Sequence, residues 1–291
     1  LNAPRLSILI ALRDCLPLTR AMLRSLEACT DLSKAEVALV DDASADGTPE
    51  FLETLPSERY RCLRNASSEG YAAANNRAAA ATSGEILVLL NNDLELARGW
   101  LPPMLELLES RPRAGLVGNV HLNWRTGLVD HAGIFFDLEG MPTHARKTRK
   151  RPPRGPWSER SAVSAACVAL RREVFERAGG FDIGYRNGME DVDLCVRLKE
   201  MGYRHFVSHR SVVRHHVSSS PGRHDSNARN SARFRARWSA VTRAYGAREW
   251  PFEYLARYAR FWWRMEPAKA ARALFMLAKG KSNERENRVA P

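Results

Sequence analysis

Short apolar runs, each ended by a polar cluster, alternate with stretches of helical spacing along the first 120 residues. Leu6–Leu12 (LSILIAL), 36–40 (EVALV), 60–63, 85–90 (EILVLL) and 114–120 read as strands. Between them, Pro17 opens a helix to about Cys29, with Leu16, Met22, Leu23 and Leu26 near helical spacing. Thr48 followed by Pro49 reads as an N-cap and a first helical residue, starting a helix to about Leu55. Residues 71–82 are Ala-rich and helical by propensity, and another helix is predicted over 100–110. Strand alternating with helix in this way implies a parallel, doubly wound α/β sheet flanked by helices.

After residue 120 the rhythm breaks. Residues 120–137 read as a hairpin, and the Pro-rich, cationic 141–160 as a mobile surface loop. Residues 161–170 are strand-like, 172–178 a short helix closed by Gly179-Gly180, and 189–201 a helix closed by Gly202. From about 225 the pattern is helical and Arg-rich. This divides the chain into a catalytic domain over 1–224, with halves of about 1–120 and 121–224, and a basic, aromatic helical extension over 225–291.

The polar ends of the strands are where chemistry is expected. An apolar strand as long as 85–90 is buried, so Asn91-Asn92-Asp93 at its end sits at the mouth of a sheet, where open α/β folds bind ligands. The strand over 36–40 ends likewise, in Asp41-Asp42. Carboxylates on one edge suit a nucleotide and a hard metal ion. The plainer alternatives are turn formation by 41–48 (DDASADGT) and helix capping by 91–93.

The helix over 189–201 resolves into faces. Glu190, Asp193, Arg197 and Glu200 share one, expected to be solvated and salt-bridged. Asp191 instead shares a face with Leu194, Cys195 and Leu198. A carboxylate on an apolar face in the first helical turn, where the helix dipole favours negative charge, suits a general base facing a cavity. The alternative is a buried cap or an Arg partner. Of His215 and His216, alternation along a strand turns one inward, where an imidazole can ligate a metal.

Composition narrows the classes. The 291 residues are 44% apolar, enough for one large domain or one domain with an appendage. Net charge is +12 with pI near 9.9. The excess lies in 144–160 and 204–290 and fits an anionic membrane, a phosphorylated donor or a lipid phosphate as well as nucleic acid. With no helix-turn-helix or zinc pattern, nucleic acid is not the expected partner. Five scattered cysteines without a CxxC pair argue against a disulfide framework and for a reducing cytosol. The sequence carries no apolar run of spanning length and no signal peptide, and the first residue is not Met, as in a domain cut from a longer protein.

Taken in order, LSILIALRD, DDASADGT, GYAAANNRAAAATSGEILVLLNND, ALRREVFERAGGFD and MEDVDLCVRLKEMGY resemble the inverting family 2 glycosyltransferases of the GT-A fold, over about residues 6–220. Asp14 stands where the family usually has Asn, and NND replaces its metal-binding DxD, leaving one acidic ligand. LNND and HHVSSS look most like rhamnosyltransferase-type members. The resemblance implies that Asp42 contacts a uracil or thymine ring and Ala11 touches the base through its backbone. It places Asn92 near ribose and diphosphate and Asp93 on Mn²⁺ or Mg²⁺, with His215 as second metal ligand and Asp191 as catalytic base. It further implies a hexosyltransferase using a UDP- or dTDP-sugar donor and a glycan or lipid-linked acceptor in bacterial cell-surface polysaccharide or glycoconjugate synthesis. Such an enzyme works in the cytoplasm, peripheral to the inner face of the membrane. Residues 250–281, where aromatics mix with Arg and Lys, are expected either to lie on an anionic membrane or to pack on the catalytic domain. Competing readings are a non-catalytic scaffold domain of the same fold, and a sugar-1-phosphate nucleotidyltransferase. The latter is disfavoured because 11–20 offer no glycine for a triphosphate loop.

Overall fold

A computed structural model describes residues 6–216, 225–259 and 261–289. The first half runs as read from its periodicity. Strands β1 (Leu6–Leu12), β2 (Ala35–Asp41), β3 (Tyr60–Arg64) and β4 (Ile86–Leu90) alternate with helices α1 (Leu16–Cys29), α2 (Thr48–Glu53) and α3 (Tyr71–Ala80). Thr48 is the first helical residue rather than the cap; the Asp46 carboxylate accepts its N–H at 3.0 Å. The short β5 (Leu94–Glu95), helix α4 (Pro102–Ser110) and β6 (Ala114–Asn123) follow.

The second half supplies β7 (Val129–His131), β8 (Ile134–Phe136), β9 (Pro142–His144), β10 (Trp157–Arg160), β11 (Cys167–Arg171) and β12 (Arg204–His215). Its helices are α5 (Arg172–Arg177), α6 (Glu190–Glu200), α7 (Asn227–Tyr258) and α8 (Pro267–Val289). The main sheet has the order β10-β12-β6-β11-β4-β1-β2-β3, with β5 on β12 and β7 on β6. β1, β2, β3 and β4 are parallel neighbours, as are β6 and β12, while β11 is antiparallel between β4 and β6. Two antiparallel steps restore direction, so β1, β2, β4, β6 and β12 all end at one edge of the sheet.

Alternation builds the two core layers. Leu9, Ala11, Ala38, Val40, Leu87 and Leu89 face α3 and α6, while Ile8, Ile10, Val37, Leu39, Val88 and Leu90 face α1 and α4. Burial on both faces is why these strands read as continuous apolar runs.

One expectation is corrected. The 141–160 segment is not a free surface loop: β9 pairs with β8, and β10 pairs with β12 at the sheet edge. Four arginines and lysines over 146–150 hid short pairing segments that have no apolar alternation of their own. The helical extension that begins near 225 packs on the preceding residues. Phe234 of α7 is fully buried against Phe136, with ring centroids 6.2 Å apart, and Gly246 lets α7 approach so closely that a Cβ there would lie 1.9 Å from the Asp137 carbonyl oxygen.

His205 ties layers together. Its Nδ1 accepts from the Leu116 N–H at 3.0 Å and its Nε2 donates to the Cys195 carbonyl at 2.8 Å, fixing the neutral ring between β6 and α6. Burial lowers its pKa to about 4 from the ordinary 6.5. The unfolded chain therefore binds this proton first, so the stability is fully present above about pH 6.5 and declines as pH falls toward 4. The slope from this group is about 1.4 kcal/mol per pH unit. Urea unfolding at pH 7 and pH 5 should differ by about 2 kcal/mol through this residue; equal stability at the two values would refute the assignment.

Candidate active site

The strand ends bring the polar clusters to one edge. Asp42, just past β2, is nearly buried and its carboxylate is saturated. Oδ1 accepts from Asn65 Nδ2 and the Glu69 N–H, both at 2.8 Å; Oδ2 accepts from Ser68 Oγ at 2.8 Å and the Gly70 N–H at 2.9 Å. Burial alone pushes the acid upward, but these four bonds outweigh it and hold its pKa below the usual carboxylate range. All four lone-pair sites thus serve the 65–70 turn. Ala11 lies near the tip of β1 in register with Val40, beside this turn.

The β1–α1 and β2–α2 turns lock together. Asp14, at φ 56°, donates its N–H to Ser44 Oγ at 2.7 Å and accepts the Ala45 N–H at 2.8 Å. Asp46 accepts the Leu16 N–H at 2.9 Å. Asn92, past β4, donates to Thr19 Oγ1 at 2.9 Å, so its side chain turns toward α1.

Asp93 and His215 meet at the sheet edge. β5 pairs with the end of β12, placing His215 opposite Leu94. His215 Nε2 lies 3.1 Å from Asp93 Oδ1, and the His216 N–H donates to the Asp93 carbonyl at 3.0 Å. His216 turns the other way and stacks on Trp124, centroids 4.6 Å apart. His215 Nδ1 and His121 Nε2 are buried without a hydrogen-bond partner among the described residues. A carboxylate, an imidazole and an unsatisfied buried nitrogen make a mixed O/N donor set that fits a divalent cation of the Mn²⁺ or Mg²⁺ type. Among the described residues no cluster of three such ligands forms, so the remaining positions would fall to a ligand and water. Val217–Ser220 of the HHVSSS stretch lie outside the described residues.

Asp191 stands in the first turn of α6. Its Oδ2 accepts the Ala165 N–H at 3.2 Å and its Oδ1 the Val192 N–H at 2.8 Å. The turn before it is backbone-strained: Asn187, Gly188 and Met189 all have positive φ, at 55°, 142° and 73°. Buried Asn230 of α7 holds that turn, accepting the Arg186 N–H at 3.3 Å and donating to the Arg186 and Gly188 carbonyls at 2.8 and 2.9 Å.

The same helix overturns one expectation. Glu190 and Asp193 do not lie on a solvated face. Asp193 is fully buried, bonded to Arg197 Nε at 2.7 Å and to Trp238 Nε1 at 2.7 Å, because α7 covers this side of α6.

Asp191 and His215 line one cavity of about 380 Å³, with His121, His131, His144, Asp130, Lys147 and Ser164. Two wider clefts, of about 600 and 700 Å³, lie at the opposite edge of the sheet and do not reach the polar strand ends. The histidine group escaped the sequence reading. His121 and His131 pair across β6 and β7, rings 4.9 Å apart, and His131 Nδ1 lies 3.0 Å from His144 Nδ1. Burial, then the neighbouring histidines, hold His121 and His131 well below their usual pKa, and burial lowers His144 as well. The only trace in the sequence is the alternation Val129-Asp-His131 after His121, too short to signal a site.

Comparison with known proteins gives the family and the fold. The family model described as glycosyl transferase family 2 matches residues 7–179. The chain is 35% identical over 231 residues to the O-antigen biosynthesis protein RfbC of Myxococcus xanthus, covering 75% of this chain and 18% of that protein. It is 33% identical over 245 residues to the protein y4gI of Sinorhizobium fredii, covering 80% of this chain and 27% of that one. It thus spans about a quarter or less of these two relatives. An N-acetylglucosaminyl-diphospho-decaprenol L-rhamnosyltransferase of Mycobacterium tuberculosis is 29% identical, with 71% of this chain and 74% of that protein covered. Two solved structures share the fold. GalNAc-T7 with UDP, GalNAc and Mn²⁺ has a TM-score of 0.60 at 19% identity, over 74% of this chain and 44% of that one. The mannosyltransferase PcManGT of Pyrobaculum calidifontis with GDP-Man and Mn²⁺ has 0.57 at 23%, over 96% and 75%. The family model spans more than half of the chain, and the matched stretch includes Asp42, Asn92 and Asp93: this chain belongs to glycosyl transferase family 2, with the GT-A fold.

Proposed function

We propose that this domain transfers a sugar from a UDP- or dTDP-sugar to an acceptor hydroxyl by a single displacement with inversion at the anomeric carbon. The observation that carries the reading is the shared cavity: Asp191 and His215, the latter paired with Asp93, line one space at the sheet edge. Asp191 takes the proton of the acceptor hydroxyl. Its turn is fixed by Asn230 and its carboxylate aimed by the Ala165 N–H, which favours the orientation needed for in-line attack. Asp93 and His215 would hold the divalent cation, which supplies charge neutralisation to the departing diphosphate. Ala11 and the 65–70 turn organised by Asp42 form the base side of the donor site, with Asn92 between it and the diphosphate. The structural neighbours, one with UDP, GalNAc and Mn²⁺ and the other with GDP-Man and Mn²⁺, support a nucleotide-sugar donor and a divalent metal; the UDP or dTDP carrier rests on the resemblance of the 41–48 turn.

The acceptor is a glycan or a lipid-linked sugar, and the setting bacterial surface polysaccharide synthesis, in keeping with the O-antigen and decaprenol-linked relatives. Among the described residues no helix is long and apolar enough to cross a membrane. The reading places the domain in the cytoplasm against the inner membrane face, with 250–281 toward an anionic surface. Lys and Arg there flank exposed Phe252, Phe261, Trp262, Trp263 and Phe275.

Screening nucleotide sugars for thermal protection tests the donor assignment. At a hundredfold excess over Kd the cognate donor with Mn²⁺ should raise Tm by about 5–10 °C, and less without the metal. No protection by any nucleotide sugar would refute it.

A further inference from the structure

A second cavity, of about 490 Å³, adjoins the one that holds Asp191, and His144 and Lys147 line both. Its walls are the 146–149 segment after β9 and the last turns of α7, with Phe261 and Arg264 beyond. Five cations line it: Arg146, Lys147, Arg149, Arg257 and Arg264. The single carboxylate there, Glu253, is already paired with Arg160. Arg149 is structural, donating to the Ala256 and Arg257 carbonyls at 3.1 and 2.7 Å. Lys147 reaches Asp130 at 3.6 Å. Among the described residues Arg146, Arg257 and Arg264 form no ion pair with a carboxylate.

Concentrating like charge in one hollow works against the fold unless an anion shares it. Guanidinium groups converging from two elements match phosphate oxygens in particular. The surface beside the hollow is of opposite character. Trp262 and Trp263 follow directly on Phe261 and are 70% and 63% exposed. Large aromatic rings left in solvent next to arginines suit a ligand with an apolar part adjoining its anionic one.

We infer that this cavity is a phosphate subsite: a phosphate or diphosphate group of the acceptor binds Arg146, Arg257 and Arg264, beside His144 and Lys147, which also line the cavity of Asp191. The inference rests on the sugar-transfer reading of the neighbouring cavity and deepens it by giving the acceptor's chemical class. An acceptor so bound carries its reacting hydroxyl on one side of the phosphate and, where it is a lipid, its chain over Trp262 and Trp263.

The test uses the full chain and three probes at fixed ionic strength: farnesyl diphosphate, inorganic diphosphate and farnesol. The triple variant Arg146→Gln/Arg257→Gln/Arg264→Gln should lose about tenfold or more in affinity for farnesyl diphosphate. Its thermal protection by nucleotide sugar should stay that of the wild type, which shows that the variant is folded and the donor site intact. A blue shift in tryptophan emission with farnesyl diphosphate, absent in Trp262→Ala/Trp263→Ala, identifies a lipid phosphate. Inorganic diphosphate binding as tightly and without that shift identifies a phosphate with no lipid chain. Farnesol should bind weakly and ignore the arginine substitutions. If wild type fails to bind either diphosphate, or the triple variant binds both within twofold of wild type, the subsite is refuted. Failure of the transfer reading looks different: nucleotide protection is then absent in every variant, whatever happens to diphosphate affinity.

Discussion

Asp191→Asn is expected to reduce sugar transfer by about 10²–10⁴-fold, the range that a positioned general base contributes. At about 1.4 kcal/mol per decade this is roughly 3–5 kcal/mol of transition-state stabilisation. The substitution keeps the shape of the side chain. The amide oxygen can still accept the Ala165 or the Val192 N–H, the two backbone donors that Asp191 now serves. The amide cannot take a proton from the acceptor hydroxyl. In the proposed reading the donor is held by Asp42, Asp93 and His215, none of which bonds to Asp191, so nucleotide binding should be nearly unchanged. Steady-state transfer together with nucleotide-dependent thermal protection separates the two effects. Transfer within tenfold of wild type, with the donor still bound, would mean that another group takes the proton. His131 and His144, which line the same cavity, would be the first to examine.

The second large effect concerns the helix that presents Asp191. Asp193→Ala should destabilise the fold by about 3–5 kcal/mol, the usual cost of removing one partner of a buried ion pair. The carboxylate is fully buried, and it links Arg197 of its own helix to Trp238 of α7. Removing it leaves the Arg197 guanidinium, which also donates to the Ala178 and Gly180 carbonyls, with its charge uncompensated. A Tm lower by roughly 10 °C is expected. Asp193→Ala/Arg197→Met should be less destabilised than the single variant, because the orphaned charge is gone. If Asp193→Ala costs under about 1 kcal/mol in urea unfolding, the buried Asp193 carboxylate is not what holds α6 to α7.

Asp193 also marks where sequence reading stopped. Helical spacing correctly put Asp191 on the side of Leu194, Cys195 and Leu198, facing a cavity. The same spacing grouped Glu190, Asp193 and Arg197 and assigned them to solvent, because a polar face with i, i+3 and i+4 charges has that appearance. The projection says which residues share a side; it does not say what covers that side. Trp238 lies 45 residues downstream, and no local pattern announces that it closes over the carboxylate. Asp42 differs in kind. Its place at the edge was legible from the apolar run before it, but the four donors that saturate it come from 65–70, in a turn with no periodicity to read.

By itself the sequence determined the main strands of the first 120 residues, their alternation with helices and the polar residues at their ends. Those follow from local rules: a strand buried on both faces must be continuously apolar, and the chain must turn polar where it leaves the core. Only the tertiary structure decided that β11 enters antiparallel, that β9 and β10 form within a cationic segment, and that His121, His131, His144 and His215 gather beside Asp191. Only there do the arginines of 146–149 meet those at the end of α7 across one hollow. These are encounters between residues tens of positions apart. Their energies come from desolvation and charge at the point of contact, which no window along the chain contains.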